Sequence, residues 1–296
     1  MNARIRWRKL ALGLPTVLDV ARRGFFIPYR YADALPDPAT LPPYGAAQTL
    51  FAGHGAAFAR VLADLSHHQK AFEAIASDTT EGAPRFDQDW FATLDAAVAY
   101  RMVRALRPAR IVEVGSGHST RFMARAIADG KLSCVLTSID PAPRASIASL
   151  PVRQIADTIP PAEETAADSA IGGAALKALG SLRDGDILFI DSSHILMPGT
   201  DVDYLLNRAL PALPSGTFVH IHDILLPDPY PEDWQWRGYN EQNAVLPLLI
   251  GGAFRPLFAS HFVATRMADA LGDSVVAGLP QAAGAIPASL WLEKLR

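Results

Sequence analysis

Two glycines separated by one residue stand between an apolar, β-branched run and a helical pattern. The run is 110–114, the turn is Gly115-Ser116-Gly117, and Ser119 or Thr120 can cap the helix that follows. Glycine has no Cβ, and a helix N-terminus presents free N–H groups. The turn therefore predicts a place where a nucleotide-like cofactor lies against the main chain, with a plain strand-to-helix connection as the alternative.

A second apolar run, 134–139, ends at Asp140, which lies 25 residues after Gly115. An acid about 20 residues after a glycine turn accepts hydrogen bonds from ribose hydroxyls in α/β folds. Thr120 stands where the third glycine of the dinucleotide fingerprint would be. A helix cap or a turn is the alternative role for Asp140. The residues predicted to contact the cofactor are Glu113, Gly115, Ser116, Gly117, Ser119 and Asp140.

Titratable side chains follow two later apolar runs. Asp191 and His194 come after the run 186–190, and His222 and Asp223 close the run that begins at residue 217. The carboxyl ends of parallel strands meet at one edge of a sheet, and clustered titratable groups there indicate chemistry. We therefore predict His194, His222, Asp191 and Asp223 as catalytic. The alternative for a histidine in a strand is a core residue whose hydrogen bonds are satisfied within the protein.

Four motifs in this order resemble class I S-adenosylmethionine-dependent methyltransferases. Within that superfamily, the chain is similar to small-molecule methyltransferases of the Asp-Ser-Ser-His and His-Asp type, over residues 86–296. The motifs are Glu113-Val114-Gly115-Ser116-Gly117, Ser138-Ile139-Asp140-Pro141, Asp186-Ile187-Leu188-Phe189-Ile190-Asp191-Ser192-Ser193-His194 and His220-Ile221-His222-Asp223. The resemblance implies S-adenosylmethionine as cofactor and a small-molecule acceptor, with oxygen favoured as the methylated atom. It also implies that Glu113 supports the turn or binds the methionyl amine.

Methyl transfer to a hydroxyl requires that the acceptor lose its proton. A histidine with a pKa near working pH can act as the general base, and His194 is preferred over His222. A divalent metal such as Mg²⁺ is the alternative. In the catechol-type enzymes of the superfamily, the metal ligands match Asp191 and the pair His222-Asp223, where those enzymes have Asp-Asn. The metal ligands are therefore left unassigned.

Strand and helix patterns alternate from residue 110 onward, which predicts an α/β, Rossmann-like fold with helices on both faces of the sheet. The resemblance implies seven strands, mostly parallel, with one of the last two antiparallel. The predicted strands are 110–114, 134–139, 152–156, 186–190, 217–222, 254–263 and 288–293. The predicted helices are 47–77, 90–106 (capped by Asp87 or Asp89), 163–178, 241–249 and 264–271. Residues 1–85 are predicted to be a helical and proline-rich extension, and residues 86–296 the cofactor-binding domain. The resemblance implies that the extension covers the site, with simple packing on the domain as the alternative.

The loop 228–240 is rich in aromatic residues. A solvated linker would not need so many rings. The loop is either a lid over the acceptor or a contact between two copies of the chain, so a homo-oligomer stays open.

Composition narrows the partners of the chain. A formal charge of −3 argues against nucleic acid, which requires a dense field of Lys and Arg. The single cysteine, Cys134, allows no intrachain disulfide, and no apolar run is long enough for a transmembrane segment. We predict a cytoplasmic protein. The basic and apolar N-terminus is interpreted as mature sequence that packs on its own domain, on a second subunit or weakly on a membrane surface.

Two other classes of function stay open from the sequence. An NAD-linked oxidoreductase also uses a Gly-x-Gly turn and a ribose-binding acid. The other class is a non-catalytic domain that binds a cofactor or partner, in which the polar cluster would have a structural role only. The Asp-Ser-Ser-His motif after the fourth strand favours the methyltransferase.

Overall fold

The computed structural model describes residues 3–159 and 173–296. In this part of the chain the strands are β1 (Arg110–Val114), β2 (Val135–Ile139), β3 (Arg153–Ile155), β4 (Ile187–Ile190), β5 (Phe218–Ile221), β6 (Phe254–Ala259) and β7 (Leu290–Lys294). They form one sheet in the order β3-β2-β1-β4-β5-β7-β6. The first five strands are parallel, and β7 is antiparallel to both β5 and β6. The predicted Rossmann-like, mostly parallel sheet is confirmed.

The central strands are apolar because they are buried on both faces. Every residue of β4 is buried, and so are the last four of β1. Side chains alternate between the two faces of a strand, so a wholly buried strand must be covered on both sides. Because these strands are parallel, their carboxyl ends open at the same edge of the sheet.

The described helices are α1 (Ala3–Val17), α2 (Gly45–Gly53), α3 (Gly55–Asp64), α4 (Gln69–Ser77), α5 (Thr93–Leu106), α6 (His118–Gly130), α7 (Gly173–Gly180), α8 (Asp201–Tyr204), α9 (Leu210–Ala212), α10 (Glu241–Ile250), α11 (Ser260–Arg266) and α12 (Ala268–Gly272). A π-helical turn, Leu205–Ala209, joins α8 to α9. Residues 163–172 of the helix predicted over 163–178 lie outside the described residues, and the described part of the chain resumes with α7 at Gly173. Within the described ranges, no helix combines the length and the apolar character needed to cross a bilayer.

The single helix predicted over 47–77 is wrong, because the segment forms α2, α3, a 3₁₀ turn at Leu65–His68 and α4. The first break lies at His54, between two glycines, the residues with the lowest helix propensity after proline. The His54 ring nitrogen Nδ1 lies 2.9 Å from the Leu50 carbonyl oxygen at the end of α2. The break allows Phe51 and Phe58 to pack together on the same core.

Two further boundaries differ from the prediction. The helix predicted over 90–106 begins at Thr93, and neither Asp87 nor Asp89 caps it. Instead, the side-chain oxygen of Gln88 accepts hydrogen bonds from the backbone N–H groups of residues 90 and 91. The strand predicted over 254–263 ends at Ala259, where α11 begins.

The chain divides into two compact units. One contains 44–227 and 240–296, so the boundary predicted at residue 85 falls inside it. The other contains residues up to Pro43 together with 228–239. In that smaller unit the Arg8 guanidinium stacks on the Trp236 ring at 4.9 Å, which joins α1 to the aromatic loop.

Candidate active site

The turn after β1 lies against the end of β4. Gly115 has a φ of 82°, and a Cβ added there would lie 1.9 Å from the Asp191 carbonyl oxygen. The Asp191 amide donates to the Val114 carbonyl at 2.8 Å. A left-handed backbone and this close approach both require glycine. The cofactor turn and the predicted catalytic segment are therefore neighbours.

Asp140 closes the turn from the neighbouring strand. Its Oδ2 accepts the Ser116 backbone N–H at 2.8 Å and the Ser116 hydroxyl at 3.0 Å. Its Oδ1 accepts the Ala142 N–H at 2.7 Å. A carboxylate has about four acceptor positions, so Asp140 keeps capacity for a further donor. It is partly exposed, so a ligand can reach it.

Glu113 is wholly buried beneath the start of α6. Its two carboxyl oxygens accept hydrogen bonds from the hydroxyls of Ser119 and Thr120, each with an oxygen–oxygen distance of 2.6 Å. The Thr120 hydroxyl oxygen in turn accepts the Gly117 N–H. Burial raises the pKa of Glu113 to about 8, although these two hydrogen bonds oppose the shift. Glu113 and Ser119 thus brace the turn from inside.

His194 lies among three carboxylates at the ends of β4 and β5. Its Nδ1 is 2.9 Å from Glu241 Oε2, and its Nε2 is 3.4 Å from both Asp191 Oδ1 and Asp223 Oδ2. Burial alone would lower the pKa of His194, but these carboxylates, Asp223 foremost, raise it well above its ordinary value. The cluster is built to hold a proton on this imidazole.

Two members of this cluster have strained backbones. His194 has a φ of 60° and Asp223 a φ of 55°, in the left-handed region that non-glycine residues seldom occupy. The backbone of His194 is stabilised by Asn240, just before α10, because the backbone N–H of Asn240 donates to the His194 carbonyl oxygen. Such strain is found where a structure holds side chains in place for function.

Asp191 is the most accessible acid of the cluster, with 27% of its side chain exposed against 12% for Asp223. Burial would raise the pKa of Asp191, but the nearby rings of His222 and His194 hold it well below its usual range. Asp191 is therefore an ionised carboxylate within reach of a ligand.

His222 is buried beside Asp223, with its Nε2 3.2 Å from the Trp90 carbonyl oxygen. A carbonyl only accepts, so Nε2 carries the proton. In the described part of the chain, no hydrogen-bond partner faces its Nδ1. Burial lowers the pKa of His222, and the charges of Asp191 and Asp223 outweigh this and raise it.

His220 differs from its neighbour His222. Its ring stacks on Phe189 with centroids 3.6 Å apart, and its Nε2 is 2.8 Å from the Ser289 hydroxyl. Burial drives its pKa well below the ordinary value, so this imidazole is neutral. It is a packed core residue.

Two acids of the cluster were missed from the sequence. Glu241 is the first residue of α10 and is wholly buried. Asp95, in α5, is also wholly buried, accepts the N–H groups of Ala288 and Ser289, and acts electrostatically on His222. A charged residue in the first turn of a helix ordinarily lies at the surface, so no sequence pattern indicated that Glu241 and Asp95 are buried in the cluster.

Residues 112–224 match the model of the family described as a methyltransferase domain. The match covers β1 from residue 112 and all of β2, β3, β4 and β5, together with the Gly115 turn, Asp191, His194 and Asp223, whereas Glu241 and Asp95 lie outside it. The sheet outside it has the antiparallel β7 between β5 and β6, as the resemblance implied. The chain carries a class I S-adenosylmethionine-dependent methyltransferase domain. No curated protein matches the chain.

Solved structures that are similar to this chain include the following three methyltransferases. An S-adenosylhomocysteine-bound methyltransferase of Podospora anserina, PaMTH1, is 13% identical over 92% of this chain and 100% of its own, with a TM-score of 0.40. The plantazolicin methyltransferase BpumL is 14% identical over 84% and 99%, with a TM-score of 0.36. MycE of mycinamycin biosynthesis, bound to Mg and S-adenosylhomocysteine, is 17% identical over 79% and 55%, with a TM-score of 0.38. At these scores none carries an argument about the acceptor.

The methyltransferase family match decides against the NAD-linked alternative for this fold. The donor set also fits S-adenosylmethionine, because a partly exposed acid stands beside a glycine turn and a helix N-terminus. The residues that would hold the cofactor are Gly115, Ser116, Gly117 and Asp140. Glu113 and Ser119 would act by supporting them.

A divalent metal fits the observed donor set less well. The His194 Nε2 lies 3.4 Å from one oxygen of Asp191 and 3.4 Å from one oxygen of Asp223, so both carboxylates already face an imidazole whose pKa is raised well above its ordinary value. Among the residues that the structure describes, no group of three or more His, Cys, Asp or Glu side chains is arranged to hold a metal ion.

Proposed function

We propose that this methyltransferase methylates an oxygen atom of a small-molecule acceptor and that the cluster around His194 removes the acceptor's proton. The observation that supports this is the placement of His194 among Asp191, Asp223 and Glu241, directly beside the Gly115 turn. S-adenosylmethionine, when bound, supplies a methyl group on a positively charged sulfur. The protein's own residues must then bind, orient and deprotonate the acceptor.

Glu241 would set the state of the imidazole. A carboxylate 2.9 Å from Nδ1 keeps a proton on that nitrogen, which leaves Nε2 as the site that gains and loses a proton. The same arrangement of acid and histidine orients the base in hydrolytic triads. Glu241 is therefore a positioning residue that acts through His194.

Asp191 would link the acceptor to His194. It is the accessible member of the cluster, and its Oδ1 is 3.4 Å from Nε2. The acceptor hydroxyl donates to Asp191, and its proton passes to the neutral His194 as the oxygen forms its bond to the methyl carbon. The electron pair of the broken carbon–sulfur bond stays on sulfur. The imidazolium left behind is stabilised by the three carboxylates.

Protonation of His194 limits this chemistry at low pH. Because the carboxylates raise its pKa, the neutral and therefore basic form grows only at a higher pH than in an ordinary histidine. Turnover should increase through that pKa. A base of raised pKa is also a stronger base, which suits a hydroxyl acceptor.

Turnover of methyl-labelled S-adenosylmethionine with paired hydroxyl and amine acceptors tests the proposal. His194→Ala should lower turnover about 10²–10⁴-fold and leave affinity for S-adenosylhomocysteine nearly unchanged. His222→Ala tests the second candidate base in the same assay. Products methylated only at nitrogen, or full activity of His194→Ala, would contradict the proposal.

A further inference from the structure

Helix α1 exposes an apolar face. None of its residues is buried, and Trp7 is 73% exposed. The N-terminal apolar face consists of Trp7, Leu10, Leu14, Val17 and Leu18. At 3.6 residues per turn these five side chains fall within an arc of about 120°. An arc of this width is typical of a helix that buries one side against an apolar phase.

Positive charges flank this face. On the same helical projection, Arg4 lies on one side of the apolar arc and Arg6 on the other, and both are exposed. Residues 1–43 contain seven basic and three acidic residues, a formal charge of +4. Since the whole chain carries −3, the rest carries −7. The positive charge is concentrated beside the exposed apolar side chains.

The segment after α1 has the same character. Phe25, Phe26 and Ile27 follow one another, and each is more than half exposed. Arg22 and Arg23 directly precede them. A row of large exposed apolar side chains next to arginines is unusual on a surface that meets only water.

We propose that residues 3–31 lie on the surface of an anionic lipid bilayer, with the N-terminal apolar face and Phe25–Ile27 in the interface and the arginines at the headgroups. An apolar face bordered by basic side chains is the pattern of helices that lie in the plane of a membrane. The helix is too short and too charged to cross one. A second copy would bring a segment of the same positive charge, so charge complementarity favours an anionic surface over pairing of two copies.

Flotation of the full chain with vesicles tests the apolar contribution. Vesicles of equal parts phosphatidylcholine and phosphatidylglycerol should carry the protein, and vesicles of phosphatidylcholine alone should not. Leu10→Ser/Leu14→Ser should lower the partition coefficient roughly 10-fold or more, since two leucines leave the interface. The matched control is Val135→Ser/Ile250→Ser, which removes two equally exposed apolar side chains from the larger unit.

A second pair of variants tests the charge contribution. Arg4→Gln/Arg6→Gln should lower the partition coefficient roughly 30-fold, as expected for about a fivefold loss per basic residue near an anionic surface. Arg60→Gln/Lys70→Gln removes two exposed charges elsewhere and should have little effect. Added salt should weaken binding of the unchanged protein.

The proposal is overturned if the vesicles do not bind the protein, if neutral vesicles bind it equally well, or if the test and control variants behave alike. It is also overturned if light scattering shows a dimer that Leu10→Ser/Leu14→Ser dissociates while vesicles have no effect. An unchanged thermal unfolding midpoint confirms that each variant is folded.

Discussion

Replacing Glu241 with Gln should change the pH dependence of catalysis. Gln has nearly the same shape and can still accept the His194 Nδ1–H, now 2.9 Å from Glu241 Oε2. It lacks the charge. A hydrogen bond to a charged partner contributes about 1.5–3 kcal/mol, and one between neutral groups about 0.5–1.5 kcal/mol. The charge is therefore responsible for roughly 1–1.5 kcal/mol of preference for the imidazolium.

That difference converts directly to a pKa. At 1.36 kcal/mol per pKa unit, Glu241→Gln should lower the pKa of His194 by about one unit. The rising limb of kcat against pH should move to lower pH by the same amount. Since the base is then weaker, the plateau at high pH should fall, by less than the effect of His194→Ala.

The assay is kcat and KM against pH for the unchanged protein, Glu241→Gln and Glu293→Gln. Glu293 pairs with Arg255 and aligns with Phe218, at the opposite end of β5 from the cluster, so the control should keep the unchanged profile. A uniform loss of kcat with an unmoved midpoint would mean that Glu241 only supports the fold. A midpoint that moves upward would refute the reasoning.

Three other perturbations have defined outcomes. Glu113→Gln removes a buried acid whose pKa is raised to about 8. Because this carboxyl loses its proton at lower pH in the unfolded chain than in the folded one, the free energy of unfolding of the unchanged protein should fall by roughly 3–5 kcal/mol between pH 4.5 and 8. Thermal or urea unfolding of Glu113→Gln should lack this dependence on pH. Asp140→Ala should weaken S-adenosylhomocysteine binding by about 1–3 kcal/mol in calorimetry, and unchanged affinity would remove Asp140 from the site. If the loop 228–240 closes over the acceptor, ligand should protect it from hydrogen exchange, whereas protection that follows protein concentration alone would indicate a contact between copies.

Metal dependence has its own test. If His194 is the base, a chelator should leave turnover intact. If chelator abolishes turnover, Mg²⁺ restores it, and Asp191→Asn and Asp223→Asn are as damaging as His194→Ala, a metal mechanism replaces the one proposed.

Much of the fold could be predicted because each central strand is an apolar run that ends at a polar turn. The run 186–190 and its parallel neighbours need no tertiary information to be recognised. The boundaries that failed differ in cause: the break at His54 and the start of α5 depend on local contacts, and the end of β6 depends on a contact far along the chain. At Ser260 the backbone N–H bonds the Ser289 carbonyl, and no local pattern indicates that the strand must end there.

The site could be predicted only where it follows strand ends. Asp140, Asp191, His194 and Asp223 share one sheet edge by topology alone. Glu241 lies 47 residues from His194 in the chain and reaches it only through the position of α10. Its role as a buried partner depends on packing, which a local pattern does not record.

A calorimetric titration tests most directly whether Gly115–Gly117 and Asp140 form a binding site for S-adenosylmethionine. The full chain is titrated with S-adenosylhomocysteine and, separately, with NAD. We expect one S-adenosylhomocysteine bound per chain and no heat from NAD. Binding of NAD without binding of S-adenosylhomocysteine would contradict the assignment of this site.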